Sequence, residues 1–164
     1  MRRLTIKDDL FTVKSTKNII PNGPKDRMVK HLFRIYSSIR KSLNGAGNIF
    51  YEMKMLSDPK SHLRVFYKLQ SAIEEYEEMN RTKVDIPIFM LAHFTKYRKH
   101  TFPFKMLQPR SFSMYMTFCN ELNIPTKIIS VEERIEVRDR VFVHLAKSWG
   151  ISESESRRRF GGVL

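Results

Sequence analysis

Between Asp85 and Glu121 the sequence contains no acidic residue, yet it carries Lys96, Arg98, Lys99, Lys105 and Arg110, with His93 and His100. Phe94, Tyr97, Phe102, Phe104 and Phe112 are interleaved with these cations. Two kinds of chemistry suit such a mixture. Ammonium and guanidinium groups neutralise phosphates and release their counterions. Aromatic rings stack on unpaired bases. The connector formed by residues 96–110 is where both types of side chain could be exposed together. The competing reading places the rings in the core, where large aromatics normally lie, and leaves the cations as solvated surface.

A second one-signed region lies nearer the N-terminus. From Leu10 to Tyr51 the only acid is Asp26, against Lys14, Lys17, Lys25, Arg27, Lys30, Arg34, Arg40 and Lys41. A basic helix face can follow a phosphate backbone, and a basic arm can enter a groove. A plain solvated helix surface is the alternative.

Near the C-terminus, the run His144-Leu145-Ala146-Lys147-Ser148-Trp149-Gly150-Ile151-Ser152 places a small residue four positions before a glycine. A small residue allows close helix contact and a glycine makes the turn, so these positions resemble the DNA-binding helix-turn-helix motif. The resemblance covers about twenty residues and implies a recognition helix, on which Arg157, Arg158 and Arg159 would lie. The sequence departs from the motif at Ser156, which occupies a usual inward, apolar position. Residues 131–164 are also nearly charge-balanced, with seven basic and six acidic side chains. An ordinary helical hairpin that closes the core is the alternative.

Signals for catalysis are missing. The sequence has no phosphate-binding loop, dinucleotide fingerprint, zincin motif or serine elbow. His31, His62, His93, His100 and His144 lack ligand-like spacing, and neither metal nor cofactor is expected. Cys119, the only cysteine, lies on an apolar helical stripe and reads as core. The chain is therefore expected not to be an enzyme, although carboxylates distant in sequence could still converge, as in some nucleases.

The elements that must position these residues are helical. Met28, Leu32, Ile35, Ile39 and Leu43 recur at spacings of three and four and predict a helix over about 25–43. Asn44-Gly45-Ala46-Gly47 stops it, and a short helix is expected over 49–56. Asp58-Pro59 is a helix start, and the helix should run to about Met79, burying Leu63, Phe66, Tyr67, Leu69, Ile73 and Tyr76. Glu74, Glu75, Glu77 and Glu78 crowd its C-terminal end, the unfavourable end for acids, which calls for basic neighbours or solvation. Pro87 should open a helix to Tyr97, and Pro109 another that bears Phe112, Tyr115, Met116, Cys119 and Leu122 and ends at Pro125. Ser130-Val131-Glu132-Glu133 and Ser152-Glu153-Ser154-Glu155 read as capping boxes. Ile135, Phe142, Leu145 and Trp149 face one side of the helix between them, and Gly150 ends it in the left-handed conformation. Gly161-Gly162 stops the last helix at about Phe160. In residues 1–23 only Phe11-Thr12-Val13 alternates weakly, as a short strand or arm would.

The expected fold is all-α: a compact bundle of five to seven helices, a helix-turn-helix-like hairpin and an irregular basic arm. The arm is assigned to 1–23, the helical core domain to 24–129 and the hairpin packed on it to 130–164. Thirty Lys and Arg against seventeen Asp and Glu give a formal charge of +13, a field that gathers polyanions. No leader segment or membrane-length apolar run is visible, so a cytoplasmic protein is expected, or a nuclear one in a eukaryote. The expected function is nucleic-acid binding, DNA before RNA, as a regulator or accessory factor in replication, recombination or transcription. The rival readings are an RNA-binding or ribosome-associated protein, an adaptor docking on an acidic protein, and an enzyme acting on nucleic acid. A protein partner or homodimer is also open. The residues expected to touch nucleic acid are Lys25, Arg27, Lys30, Arg34, Lys96, Arg98, Lys99, Lys105, Arg110, Arg157, Arg158 and Arg159.

Overall fold

Prolines and serines start helices in this chain, and residues able to adopt positive φ end them. A computed structural model describes residues 24–44, 59–98, 101, 103–125 and 130–164. These form α1 (Pro24–Asn44), α2 (Pro59–Asn80), α3 (Ile86–Tyr97), a 3-10 helix (Pro103–Leu107), α4 (Ser111–Glu121), α5 (Val131–Trp149) and α6 (Glu153–Phe160). The expected all-α class is observed, with six α-helices and no strand among the described residues. The arm over 1–23 and the short helix over 49–56 lie outside the described residues. Two compact units are present, Met1–Ala72 and Ile73–Leu164.

In the first unit α1 buries Val29, Leu32, Phe33, Ile35, Tyr36 and Ile39, and the first part of α2 buries Phe66 and Leu69. Phe66 anchors this contact. The rings of Phe33 and Tyr36 each meet it edge-on at a centroid distance of 5.6 Å, a geometry favoured by the ring quadrupole. The two rings draw the buried face of α1 toward themselves. Met28, expected in the stripe, stands on its margin at the helix start and is 39% exposed. Arg40 is buried, with its guanidinium donating to the Tyr36 hydroxyl at 3.0 Å.

The second unit is built round α3. Asp85 caps this helix by accepting the Ile88 N–H, and its own N–H is taken by the Tyr115 hydroxyl at 3.0 Å. Every residue from Ile88 to Phe94 is buried, so α3 has no solvent face along that stretch. A helix apolar all round must be covered on all sides, and α3 packs against α4, α5 and the 3-10 helix. Phe112 from α4 lies flat on Tyr76 at 4.3 Å, while Phe89 tilts against Phe112 at 5.3 Å. Cys119 is fully buried, as its stripe predicts, and burial raises its thiol to about 11 despite the Tyr115 hydroxyl beside it. It is a protonated core side chain rather than a nucleophile.

Three helices end in one way. At Gly150 (φ 62) the N–H groups of Gly150 and Ile151 reach back to the carbonyls of Lys147 and Ala146, the Schellman closure. Asn123 (φ 53) and Arg81 (φ 49) hold the same position after α4 and α2, with Ile124 bonded to Cys119 and Thr82 to Glu77. The Arg140 guanidinium then covers the carbonyls left at the end of α4, donating to Leu122 at 2.8 Å and Asn123 at 2.9 Å.

Local expectations are corrected at several points. Pro109 lies in a turn two residues before α4, which starts at Ser111, whose hydroxyl donates back to the Lys105 carbonyl. Of the four acids ending α2, Glu77 turns its carboxylate onto the Val84 N–H at 2.8 Å and so fastens the following loop. Ile135 does not join the buried face of α5. It is 54% exposed, with Val131 at 72%, because the helix starts beyond the elements that cover its later turns. Ser152 caps α6 as expected, but the Glu155 carboxylate bonds Arg158 and Arg159 instead of completing the box.

His93 is the polar exception in the buried run of α3. Its Nδ1–H donates to the Phe89 carbonyl at 2.7 Å, and Nε2 is buried without a hydrogen-bond partner. Burial lowers its pKa from 6.5 to about 4, opposed by the Phe89 bond and assisted by the Lys96 charge. The unfolded chain therefore takes up the proton first. The stability that neutral His93 allows is complete above pH 6.5 and is lost as pH falls toward 4. Comparing wild type with His93→Gln by chemical denaturation across that window should show the wild type losing roughly 3 kcal/mol relative to the variant. A constant gap between the two would show that His93 does not govern acid stability.

Candidate nucleic-acid interface

The C-terminal end of α3 is where the buried helix surfaces. Lys96 is exposed and Tyr97 half-buried. The next residue, Arg98, has φ 56 and ψ −130, a region that non-glycine residues rarely occupy. Its N–H bonds the Phe94 carbonyl, its carbonyl accepts from Thr101, and the buried Thr101 hydroxyl donates to the His93 carbonyl. These bonds close the end of α3.

There Lys105 leans back over Tyr97, with Nζ 4.8 Å from the ring centroid, while Lys96 Nζ lies 5.9 Å from the same ring. Phe104, the neighbour of Lys105, is 56% exposed. Arg110 is exposed at the start of α4. Lys96, Lys105 and Arg110 make no ion pair among the described residues, and no acid stands on α3, the 3-10 helix or the segment leading into α4. Of the remaining aromatics of the window, Phe94 is core and Phe112 is stacked on Tyr76. Lys99, His100 and Phe102 lie outside the described residues.

Arg98 belongs to the scaffold. Its guanidinium lies over the Trp149 ring at 4.1 Å and donates to the Ser148 carbonyl at the end of α5. A cation at that position also meets the negative end of the α5 dipole. This arginine joins the ends of α3 and α5, a role invisible to local sequence because fifty residues separate the partners.

In the first unit, Arg27, His31, Arg34, Ser38 and Lys41 are exposed along α1 at alternating spacings of four and three, so they form one stripe about 20 Å long. Lys30 is half-buried at its edge. Lys25 belongs to α1, but its side chain lies outside the described residues. His31 and Ser38 complete a stripe of which the sequence reading named only the cations. The signal was present as the complement of the apolar spacing.

α5 and α6 pack against each other across the turn at Gly150. Ala146 is buried, and Ser156, the departure from the motif, is also buried, with its hydroxyl donating to the Phe142 carbonyl at 2.8 Å. A serine thus replaces an apolar contact with a hydrogen bond across the hairpin. Its three arginines are engaged within the protein. Arg157 pairs with Asp139 at 2.9 Å and lies over Phe142, while Arg158 and Arg159 share the Glu155 carboxylate. Those two guanidinium groups hold Glu155 down to about 2.

No known protein family matches the chain, and no curated protein or solved structure shows significant similarity to it. No group of three or more potential metal ligands occurs among the described residues. No helix among them is long and apolar enough to cross a membrane.

The two cations at the end of α3 should separate in their effects. Arg98→Ala removes a charged hydrogen bond and a stacked guanidinium, and should lower stability by about 2 kcal/mol. It should also change the emission of Trp149, the only tryptophan in the chain. Lys96→Ala should leave stability within about 0.5 kcal/mol and the emission unaltered. Thermal melting with intrinsic fluorescence reads both, and equal behaviour of the two variants would remove the scaffold role of Arg98.

Proposed function

We propose that this protein binds nucleic acid through phosphate contacts from Lys96, Lys105 and Arg110. The observation that carries the reading is that Lys96 and Lys105 meet at the Tyr97 ring, with Arg110 exposed at the start of α4, in a stretch of the chain, residues 86–120, that contains no acid. Each cation brought against a phosphate displaces a condensed counterion, which drives binding without regard to base sequence. The exposed stripe that holds Arg27, Arg34 and Lys41 on α1 is a second basic surface.

The reading favours an accessory nucleic-acid binder over a regulator that reads bases with its hairpin. Arg157, Arg158 and Arg159 would have to leave Asp139 and Glu155 before contacting a base edge, and the uncovered carboxylates would then repel the phosphates. The charge of Lys96, Lys105 and Arg110 carries no such penalty.

Titration of labelled oligonucleotides at several salt concentrations tests the proposal. Log affinity should fall steeply against log salt, and replacing Lys96, Lys105 and Arg110 together with Ala should flatten the slope by about 2–3. Replacing Arg157, Arg158 and Arg159 with Ala should change affinity and slope little. Absence of binding by the unmodified protein at low salt would overturn the proposal.

A further inference from the structure

The buried stripe of α5 does not stop where its cover stops. Val131, Ile135, Arg138, Phe142 and Leu145 follow one another at spacings of four and three, so they share one face of the helix. Phe142 and Leu145 are core, yet Val131 is 72% exposed and Ile135 54%. Two β-branched side chains thus continue a core stripe into solvent. Arg134 is exposed beside them. Arg138 is half-buried, and its Nε is buried with no hydrogen-bond partner among the described residues. A buried donor of this kind calls for an acceptor. Glu133 and Glu136 fall on the opposite side of the helix, so this face is apolar and positive.

A face of the reverse character ends α2 in the same unit. Glu75, Glu78 and Met79 are all exposed there, Met79 at 75%. Glu78 and Met79 stand three and four residues after Glu75, so the three form one patch. The patch sets two carboxylates at the negative end of the helix dipole, and no basic residue stands in the last turn. Both faces lie around the start of α3. Glu77, near the end of α2, accepts the Val84 N–H at 2.8 Å. Burial raises the Asp85 carboxyl, while the bond from Ile88 and the nearby Arg134 charge lower it. The α2 face offers what the α5 face lacks: carboxylates for Arg134 and Arg138, and an apolar side chain for Val131 and Ile135.

We infer that these two faces dock on each other between two copies of this chain, making a two-fold dimer. Glu75, Glu78 and Met79 of one copy cover Val131, Arg134, Ile135 and Arg138 of the other, and the same contact recurs in reverse. A symmetric pair of this kind needs both members of the contact on one surface, which their common position beside the start of α3 provides. Either face alone spans about two helical turns, short of the roughly 800 Å² per partner of a standard interface, and reciprocal use doubles the area. Copies carrying +13 each repel at long range. Pairing therefore needs salt, about 0.15 M, to screen the net charge, and charges in contact are screened less. The dimer stands independently of the nucleic-acid reading.

Sedimentation equilibrium of the full chain, freed of nucleic acid, at about 0.15 M salt tests the inference. The unmodified protein should dimerise as its concentration rises. Ile135→Asp should raise the dissociation constant about tenfold or more, and matched thermal melts check that it folds. Glu75→Lys with Glu78→Lys should abolish self-association, and so should Arg134→Glu with Arg138→Glu, because each double variant sets like charges opposite one another. Mixing these two variants should restore a one-to-one pair, since both contacts of the mixed dimer again oppose acid and base. A variant that had merely misfolded would not recover in the mixture. A monomer at every concentration, a dimer indifferent to the variants, or two double variants that stay monomeric when mixed would each overturn the inference.

Discussion

A helix without a solvent face sets the terms for the second unit. Seven consecutive residues of α3, Ile88 to Phe94, are buried, and their polar backbone is satisfied only while the helix persists. Everything nearby answers that requirement. α4, α5 and the 3-10 helix surround α3, Asp85 closes its start, and the Arg98 and Thr101 bonds close its end. The cost is concentrated in two places. One is His93, whose ring must stay neutral to remain there. The other is Arg98, held at positive φ while its side chain is gripped by Trp149 and Ser148. Strain at such a residue persists when surrounding contacts over-determine it.

The same constraint explains where free charge collects. A covered helix can present side chains only at its ends, and the N-terminal end of α3 is occupied by the cap and the Tyr115 hydroxyl. Lys96 and Tyr97 therefore emerge at the other end, where the returning chain adds Phe104, Lys105 and Arg110. Elsewhere arginines are drawn into the fold: Arg40 to Tyr36, Arg140 to the end of α4, and the α6 arginines to Asp139 and Glu155. The formal charge of +13 thus overstates the field around α6, where the arginines meet carboxylates, whereas Arg40 and Arg140 bond neutral acceptors and keep their charge. Cations paired with carboxylates contribute little field beyond their partners, whereas cations without an ion pair contribute more.

Much of the architecture was legible because it depends on short-range rules. Helix starts at Pro59, Ser130 and Ser152, and the left-handed stop at Gly150, follow from which residues can cap or adopt positive φ. The burial of Phe66, Leu69, Ile73 and Cys119 follows from helical spacing. Misreadings arose where a side chain had a choice between local and distant partners. Glu155 had both its cap and two arginines within reach, and the charged partners took it. Ile135 has the right spacing for the core, but its helix begins before there is anything to cover it.

By itself, the sequence determined that the chain forms helices, roughly where each starts and stops, and that much of its positive charge lies in two windows, one without acid and one with Asp26 as its single acid. Those properties reside in neighbouring residues and survive any arrangement of the helices. Only the tertiary structure decided which members of each window face outward. Arg98 and Lys96 are two residues apart and chemically alike, yet one is locked onto Trp149 and the other exposed. Phe94 and Phe104 are the same residue type, yet one is core and the other a solvent-facing ring. The difference is set by partners distant in sequence, since local spacing fixes direction on a helix but not what stands opposite it.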